Sequence, residues 1–267
     1  MSELARIEAG RGGAPLLLVH GFTGAKSDFA DHLDALAEAG FHAVAPDLPG
    51  HGESAGDVFT FEALAGAVLE LTVELGWASF ALLGHSMGGV VAQHVAFATA
   101  PERLDALVLM DTSPGRFDVD AGVVDLACAV VEAEGMAALL AVQKELGSPF
   151  ESDAAARLRA ERAGWEELQD SKLLASSPDM YVAMARALTS DVDRTSQLAA
   201  LRVPSLVVVG EHDALLFEAS RRLATAIPGA ELAVIAGAGH SPQVEAPAAW
   251  FDVVVSWLTR GTAPRRR

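Results

Sequence analysis

Two textures of hydrophobic and polar positions alternate along the chain. The first is a short, unbroken apolar run closed by glycine or a polar corner, at residues 16–20, 43–46, 80–84, 107–111, 205–210 and 232–237. Runs that are apolar at every position, rather than at alternate ones, suit strands buried on both faces of a parallel sheet. The second texture spaces its apolar residues at three and four, over 27–39, 61–75, 87–98, 217–227 and 244–258, which predicts amphipathic helices. Strand followed by helix, repeated, predicts an α/β class fold: a doubly wound, mostly parallel sheet with right-handed crossovers.

One stretch breaks the rhythm. Between Pro114 and about Leu201 no strand is legible, and alanine-rich helical pieces cover 121–134, 136–146, 153–174 and 178–188. Gly135, Gly147-Ser148-Pro149 and Ser176-Ser177-Pro178 separate them. The expected organisation is a core of residues 1–113 and 202–267, interrupted by a helical cap or lid over 114–201. No internal repeat or low-complexity linker interrupts either part.

Composition narrows the class of partner. With 267 residues, 51% of them hydrophobic, the chain can bury one large core. Its formal charge of −17 argues against nucleic acid and against an anionic membrane surface, both of which reward clustered Lys and Arg. The single cysteine, Cys128, cannot form an internal disulfide, and no Cys/His cluster has zinc spacing. Set among Ala, Val and Leu, Cys128 reads as a buried, inert thiol. No signal peptide is visible in 1–10 and no apolar segment is long enough to span a bilayer, so a cytoplasmic location is the expectation. Arg265-Arg266-Arg267 reads as a solvated tail.

The candidate chemistry lies at the corners. Gly84-His85-Ser86-Met87-Gly88-Gly89 follows the apolar run 80–83 and opens a helix. Glycines flanking a serine at this spacing permit a tight strand-to-helix turn that lifts Ser86 above the sheet with its hydroxyl exposed. The Met87 amide then sits at a helix N-terminus, where a free donor and partial positive charge can hold an oxyanion.

These residues resemble the α/β-hydrolase fold superfamily. The elbow resembles its nucleophile motif. His20-Gly21-Phe22-Thr23-Gly24 is similar to its oxyanion loop, and Asp47-Leu48-Pro49-Gly50-His51-Gly52-Glu53-Ser54 to its Asp-x-x-Gly-x-Gly loop. Gly210-Glu211-His212-Asp213 and Gly237-Ala238-Gly239-His240-Ser241-Pro242 resemble its acid and histidine loops, in the family order Ser, Asp, His. The resemblance runs from about residue 14 to residue 259. In one respect the chain departs from it: about a dozen residues precede the first clear strand, so the family's N-terminal antiparallel strands must shrink to a piece near 4–9.

A serine nucleophile needs a base within hydrogen-bond reach. Of eight histidines, His240 lies in a glycine-rich loop after the last strand, from which it can reach across the sheet top. The resemblance gives His20 and His51 structural roles. His85 is expected to point sideways from the elbow, and His32, His42 and His94 lie on or near regular elements. His212 follows its strand too closely to serve. For the acid, Asp213 ends a strand and precedes a helix, and its plain alternative is an N-cap. Asp111, at the end of the 107–110 strand, is its rival, and its own alternative is an ordinary turn. Phe22 and Met87 are the expected oxyanion donors, with Gly21 letting the chain turn close to the site. Phe22, Met136, Leu139, Leu140, Met180, Tyr181 and Met184 are candidate pocket residues, with plain core packing as the alternative for all of them.

The leading expectation is hydrolysis of an ester or activated acyl group through an acyl-enzyme at Ser86, on a small molecule with an apolar acyl or aromatic part. No metal or organic cofactor is implied, and a monomer or homodimer is expected. Relatives of similar length use the same triad to cleave carbon–carbon bonds, open enol-lactones or perform a menaquinone-pathway lyase step. Several of them place a carboxylate-binding arginine just after the elbow. Here Val90 and Val91 stand there, with Arg186 of the cap a possible substitute. Ser86 excludes the aspartate-nucleophile dehalogenases and epoxide hydrolases. A small-molecule receptor that retains the triad is the alternative outside enzymes.

Overall fold

The computed structural model describes residues 3–147 and 153–261. The expected break at Ser148-Pro149 and the arginine tail lie outside them. The sheet has seven strands: β1 (Arg6–Ala9), β2 (Ala14–Val19), β3 (Phe41–Pro46), β4 (Phe80–His85), β5 (Leu104–Met110), β6 (Ser205–Gly210) and β7 (Glu231–Ile235). Their spatial order is β1-β3-β2-β4-β5-β6-β7. Only β1 runs antiparallel, against β3, and every other pair is parallel. The reduced N-terminal strand is therefore present as four residues.

Alternate residues of the same strands enter two different cores, as period-two geometry requires. Leu17, Val19, Leu82, Leu107, Leu109 and Val207 pack with α2 (Phe61–Glu74), α3 (Met87–Ala98) and α10 (Phe217–Ala226). Leu16, Leu18, Leu83, Val108, Met110 and Val208 pack with α1 (Leu33–Glu38) and α12 (Pro247–Gly261). Covering both faces explains why these strands are apolar throughout. The edge strand β7 is the exception, since its Leu232 and Val234 are exposed.

Between β5 and β6 the chain is helical: α4 (Ala121–Glu134), α5 (Met136–Leu146), α6 (Asp153–Glu161), α7 (Trp165–Leu174), α8 (Pro178–Ser190) and the short α9 (Thr195–Leu198). Asp120 caps α4 through the Val123 amide at 3.1 Å, and Ser177 caps α8 ahead of Pro178. A satellite core of Cys128, Val131, Met136, Leu139, Leu173, Tyr181 and Ala185 holds α4, α5, α7 and α8 together, with Phe22 packed against it.

Three helix expectations need correction. The 153–174 helix divides into α6 and α7 because Gly164 takes a left-handed conformation, φ 76°. The 27–39 helix begins as a 3-10 turn over Lys26–His32 and becomes α-helical only at Leu33. The last helix divides into α11 (Pro242–Glu245) and α12, since Pro247 disfavours helical backbone at Ala246.

Candidate active site

Chain direction reverses across the sheet between β2 and β4. The chain passes from β2 outward to β3, then returns to β4 on the other side of β2. A crevice at the carboxyl ends of the strands is expected at such a switch point. The loop after β2 supplies Gly21 and Phe22 there, and the turn after β4 supplies Ser86.

Ser86 has φ 55° and ψ −117°, a region that non-glycine residues seldom occupy. The flanking glycines make the turn possible. A Cβ on Gly84 would lie 2.2 Å from the Gly88 carbonyl oxygen, and one on Gly88 would lie 2.4 Å from that of His20. The turn is pinned from β5, where the Ser86 amide donates to the Met110 carbonyl at 2.8 Å and the Thr112 hydroxyl to the Ser86 carbonyl at 2.7 Å.

Three loops then converge. Ser86 Oγ lies 3.0 Å from His240 Nε2, and His240 Nδ1 lies 2.8 Å from Asp213 Oδ2. The other Asp213 oxygen accepts the Leu215 and Leu216 amides, each at 3.1 Å. Asp213 thus organises the turn into α10 and contacts the imidazole at once, but it is not the helix N-cap, a position held by Leu216 without a side-chain cap. Burial opposes its ionisation, but the hydrogen bond and charge of His240 and the Leu216 amide hold its carboxyl below the ordinary value.

His85 points sideways. Its Nε2 donates to the His240 carbonyl at 2.7 Å, which ties the elbow to the histidine loop. Burial, and then the neighbouring His240, depress its pKa to about 3, so the ring is neutral. His20 bridges the Gly21 carbonyl at 2.8 Å and the Leu48 amide at 3.0 Å. His51 stacks edge-on to it at 4.8 Å. His32 donates to the Gln243 carbonyl, His42 meets Glu8, and His94 lies 3.5 Å from Glu62. His212 is exposed beside Glu211.

The Phe22 and Met87 amides make no backbone hydrogen bond among the described residues. Met87 is the first residue of α3, whose opening amides the helix itself leaves without acceptors. Gly21 approaches so closely that a Cβ there would sit 3.1 Å from the Ser86 Cβ. The Phe22 ring lies 4.9 Å from that of Tyr181. Tyr181 and Met136 belong to the satellite core, and Leu140 packs against it, whereas Met180 and Met184 belong to the main core. Burial pushes the Tyr181 phenol up to about 12, so it is neutral. Cys128 is buried and its thiol is raised by that burial. Arg186 points outward and pairs with Glu132 at 3.1 Å, while Val90 and Val91 are fully buried.

Two features were missed in the sequence. Asp111 joins Asp213 and His240, with one ligand atom from each lying within 4.8 Å of the others. Such a set has the composition of a metal site, but a metal bound to both Asp213 and His240 at about 2.0–2.2 Å would break their direct hydrogen bond. Lys172 of α7 forms a 2.6 Å ion pair with the partly buried Asp28, in the 3-10 turn after the Phe22 loop. A lysine in a charged helix carries no signal of that partner.

Residues 14–247 match the family model for the alpha/beta hydrolase fold. The chain belongs to the α/β-hydrolase-fold family. It is 34% identical over 244 residues to the dihydrolipoyllysine-residue acetyltransferase component of an acetoin cleaving system from Pseudomonas putida, covering 89% of this chain and 61% of that protein. Among solved structures, a thermophilic esterase from Thermogutta terrifontis superposes with TM-score 0.83 at 30% identity, covering 97% of this chain and 93% of its own. The enol-lactonase of Burkholderia xenovorans LB400 also gives 0.83, at 27% identity and 96% of both chains. The chain spans 61% of the length of the Pseudomonas putida protein and of its Cupriavidus necator counterpart. Among the described residues, no helix is long and apolar enough to cross a membrane.

Proposed function

We propose that this α/β-hydrolase cleaves an ester or similarly activated acyl substrate through an acyl-enzyme at Ser86. The observation that carries the reading is the continuous contact from Ser86 Oγ through His240 to Asp213, at 3.0 and 2.8 Å. Ser86 attacks the acyl carbon while His240 Nε2 takes its proton, and Asp213 stabilises the resulting imidazolium. The tetrahedral oxyanion is held by the Phe22 and Met87 amides, which are fixed backbone and need no reorganisation. The imidazolium then protonates the leaving alcohol. Water repeats the sequence in reverse to free the acid and Ser86.

Residues 114–201 act as the cap, and Phe22 with Tyr181 brings cap and oxyanion loop into ring contact. Gly21, Met136, Leu140, Tyr181 and Met184 contribute to a pocket for an apolar acyl chain or aromatic ring. Enol-lactone opening is the second reading. It uses the same acyl chemistry with the leaving oxygen tethered, and the likeness to the Burkholderia enol-lactonase favours it.

The test compares wild type and Ser86→Ala on p-nitrophenyl esters of rising acyl length, an enol-lactone and a vinylogous diketone acid. Multiple turnover of the esters, lost by roughly 10⁴-fold in the variant, is expected. Consumption of the lactone or the diketone alone moves the substrate class to lactone opening or carbon–carbon cleavage. Binding without sustained turnover makes the protein a receptor. Full activity in Ser86→Ala refutes the nucleophile.

A further inference from the structure

We propose that Asp111 is a positioning residue of this site, a neutral carboxylic acid whose O–H donates to Asp213 and holds that carboxylate against His240. The proposal rests on the reading of Ser86, His240 and Asp213 given above. Asp111 follows β5 with φ 44° and is fully buried. Its Oδ1 accepts the Gly210 amide at 2.9 Å. Its Oδ2 is also buried, and no donor reaches it. An acceptor oxygen left so is costly, and a proton on it removes the cost.

Asp213 offers the place for that proton to point. One carboxyl oxygen of each residue and a ring nitrogen of His240 lie within 4.8 Å of one another. Neighbouring carboxylates in dry surroundings do not both ionise. Asp213 accepts from His240 and two amides, so it keeps the charge. Asp111 accepts from one amide, so it keeps the proton. Burial first, and then the charge of Asp213, push the Asp111 carboxyl well above its ordinary value. The Asp111 proton stays in place throughout turnover and adds no charge. What it supplies is a fourth hydrogen bond to Asp213, whose plane then fixes the tautomer and tilt of His240.

Three variants and one spectrum test this. Asp111→Leu removes the donor, and kcat on the best p-nitrophenyl ester is expected to fall at least tenfold with KM unchanged. Asp111→Asn keeps both hydrogen bonds, its amide N–H replacing the O–H and its carbonyl accepting from Gly210. It is expected to recover kcat to within about threefold, with the acid limb of the kcat/KM profile unmoved. Asp213→Asn is expected to lose roughly 10⁴-fold, because it disrupts the tautomer. The infrared spectrum of the wild type at neutral pH is expected to contain a protonated-carboxyl stretch that Asp111→Asn removes. This last readout does not depend on Asp111→Leu folding or on activity.

A missing stretch overturns the proposal. So does an Asp111→Asn acid limb displaced downward by a unit or more, which is the signature of a lost negative charge. Either result beside an inactive Asp213→Asn leaves the triad reading intact. Full activity in Asp213→Asn overturns that reading, and with it the role given to Asp111.

Discussion

The ion pair between Lys172 and Asp28 joins α7 to the 3-10 turn that follows the Phe22 loop. Both side chains are about one-tenth exposed, 10% and 11%, and their charged atoms are 2.6 Å apart. At an effective dielectric of 20, the attraction at that distance is about 6 kcal/mol, much of it offset by desolvation of both ions. Burial also opposes the charge on Asp28, yet Lys172 and His20 hold its carboxyl below the ordinary value. The larger effect therefore comes from removing one partner. Lys172→Met leaves a buried carboxylate without its cation, which is expected to cost about 3–5 kcal/mol. For a domain of this size that is roughly 6–10 °C in Tm. Adding Asp28→Asn removes the stranded charge while keeping an acceptor for the Ala25 amide. The double variant should return to within about 2 kcal/mol of the wild type. Urea unfolding of the four proteins at pH 7 gives the cycle directly. A Lys172→Met cost below about 1 kcal/mol would show that the pair behaves as a hydrated surface bridge. A double variant no better than the single would refute the account of the stranded carboxylate.

Gly88→Ala places a Cβ 2.4 Å from the His20 carbonyl oxygen, so it should lower Tm and abolish ester turnover; a variant as active as wild type would contradict the elbow geometry. His51 is buried and depressed from 6.5 to about 3, so the unfolded chain binds the extra proton as pH falls below 6.5. Its contribution to stability is present above that pH and is lost on acidification, by about 2 kcal/mol between pH 7 and pH 5. His51→Asn should lose that much less over the interval in urea titrations, and an unchanged slope would count against a neutral His51. Asp111 has the opposite sign: its carboxyl is raised from 3.8, so the native state binds the extra proton and stability falls as pH rises. The stability gap in favour of Asp111→Asn should widen with pH above about 4, by about 1.4 kcal/mol per unit until Asp111 ionises in the native state. A gap independent of pH would mean that Asp111 is already ionised in the fold.

What could be seen in the sequence was whatever is local. Unbroken apolar runs marked the strands from β2 to β6, because burial on both faces leaves no room for polar positions. The elbow was legible because a serine between glycines meets a steric demand set by its own neighbours. The same logic failed at the edge: β7 reads as apolar, but with a single strand neighbour its Leu232 and Val234 face outward. It failed again inside 153–174, where one glycine with positive φ divides a periodic run. Asp111 was legible only as a rival to Asp213. Sequence reasoning weighed them as alternatives, whereas the fold uses both, because parallel pairing of β5 with β6 brings the ends of the two strands side by side. Partnership between residues so far apart leaves no trace in periodicity.

The site is held by backbone contacts made from groups that do no chemistry. His85 donates to the His240 carbonyl, Asp111 accepts the Gly210 amide, and Thr112 donates to the Ser86 carbonyl. Each bond crosses from one strand end to another, and each is buried or partly buried, where a misplaced partner leaves a polar group unsatisfied at about 1–3 kcal/mol. A displacement of the histidine loop by even 1 Å would therefore break the His85 bond as well as the Ser86 contact. The positions of Ser86, Asp213 and His240 are consequences of sheet register more than of their own pairwise attraction. This explains why such side chains can rest on glycine-rich loops and still hold their geometry.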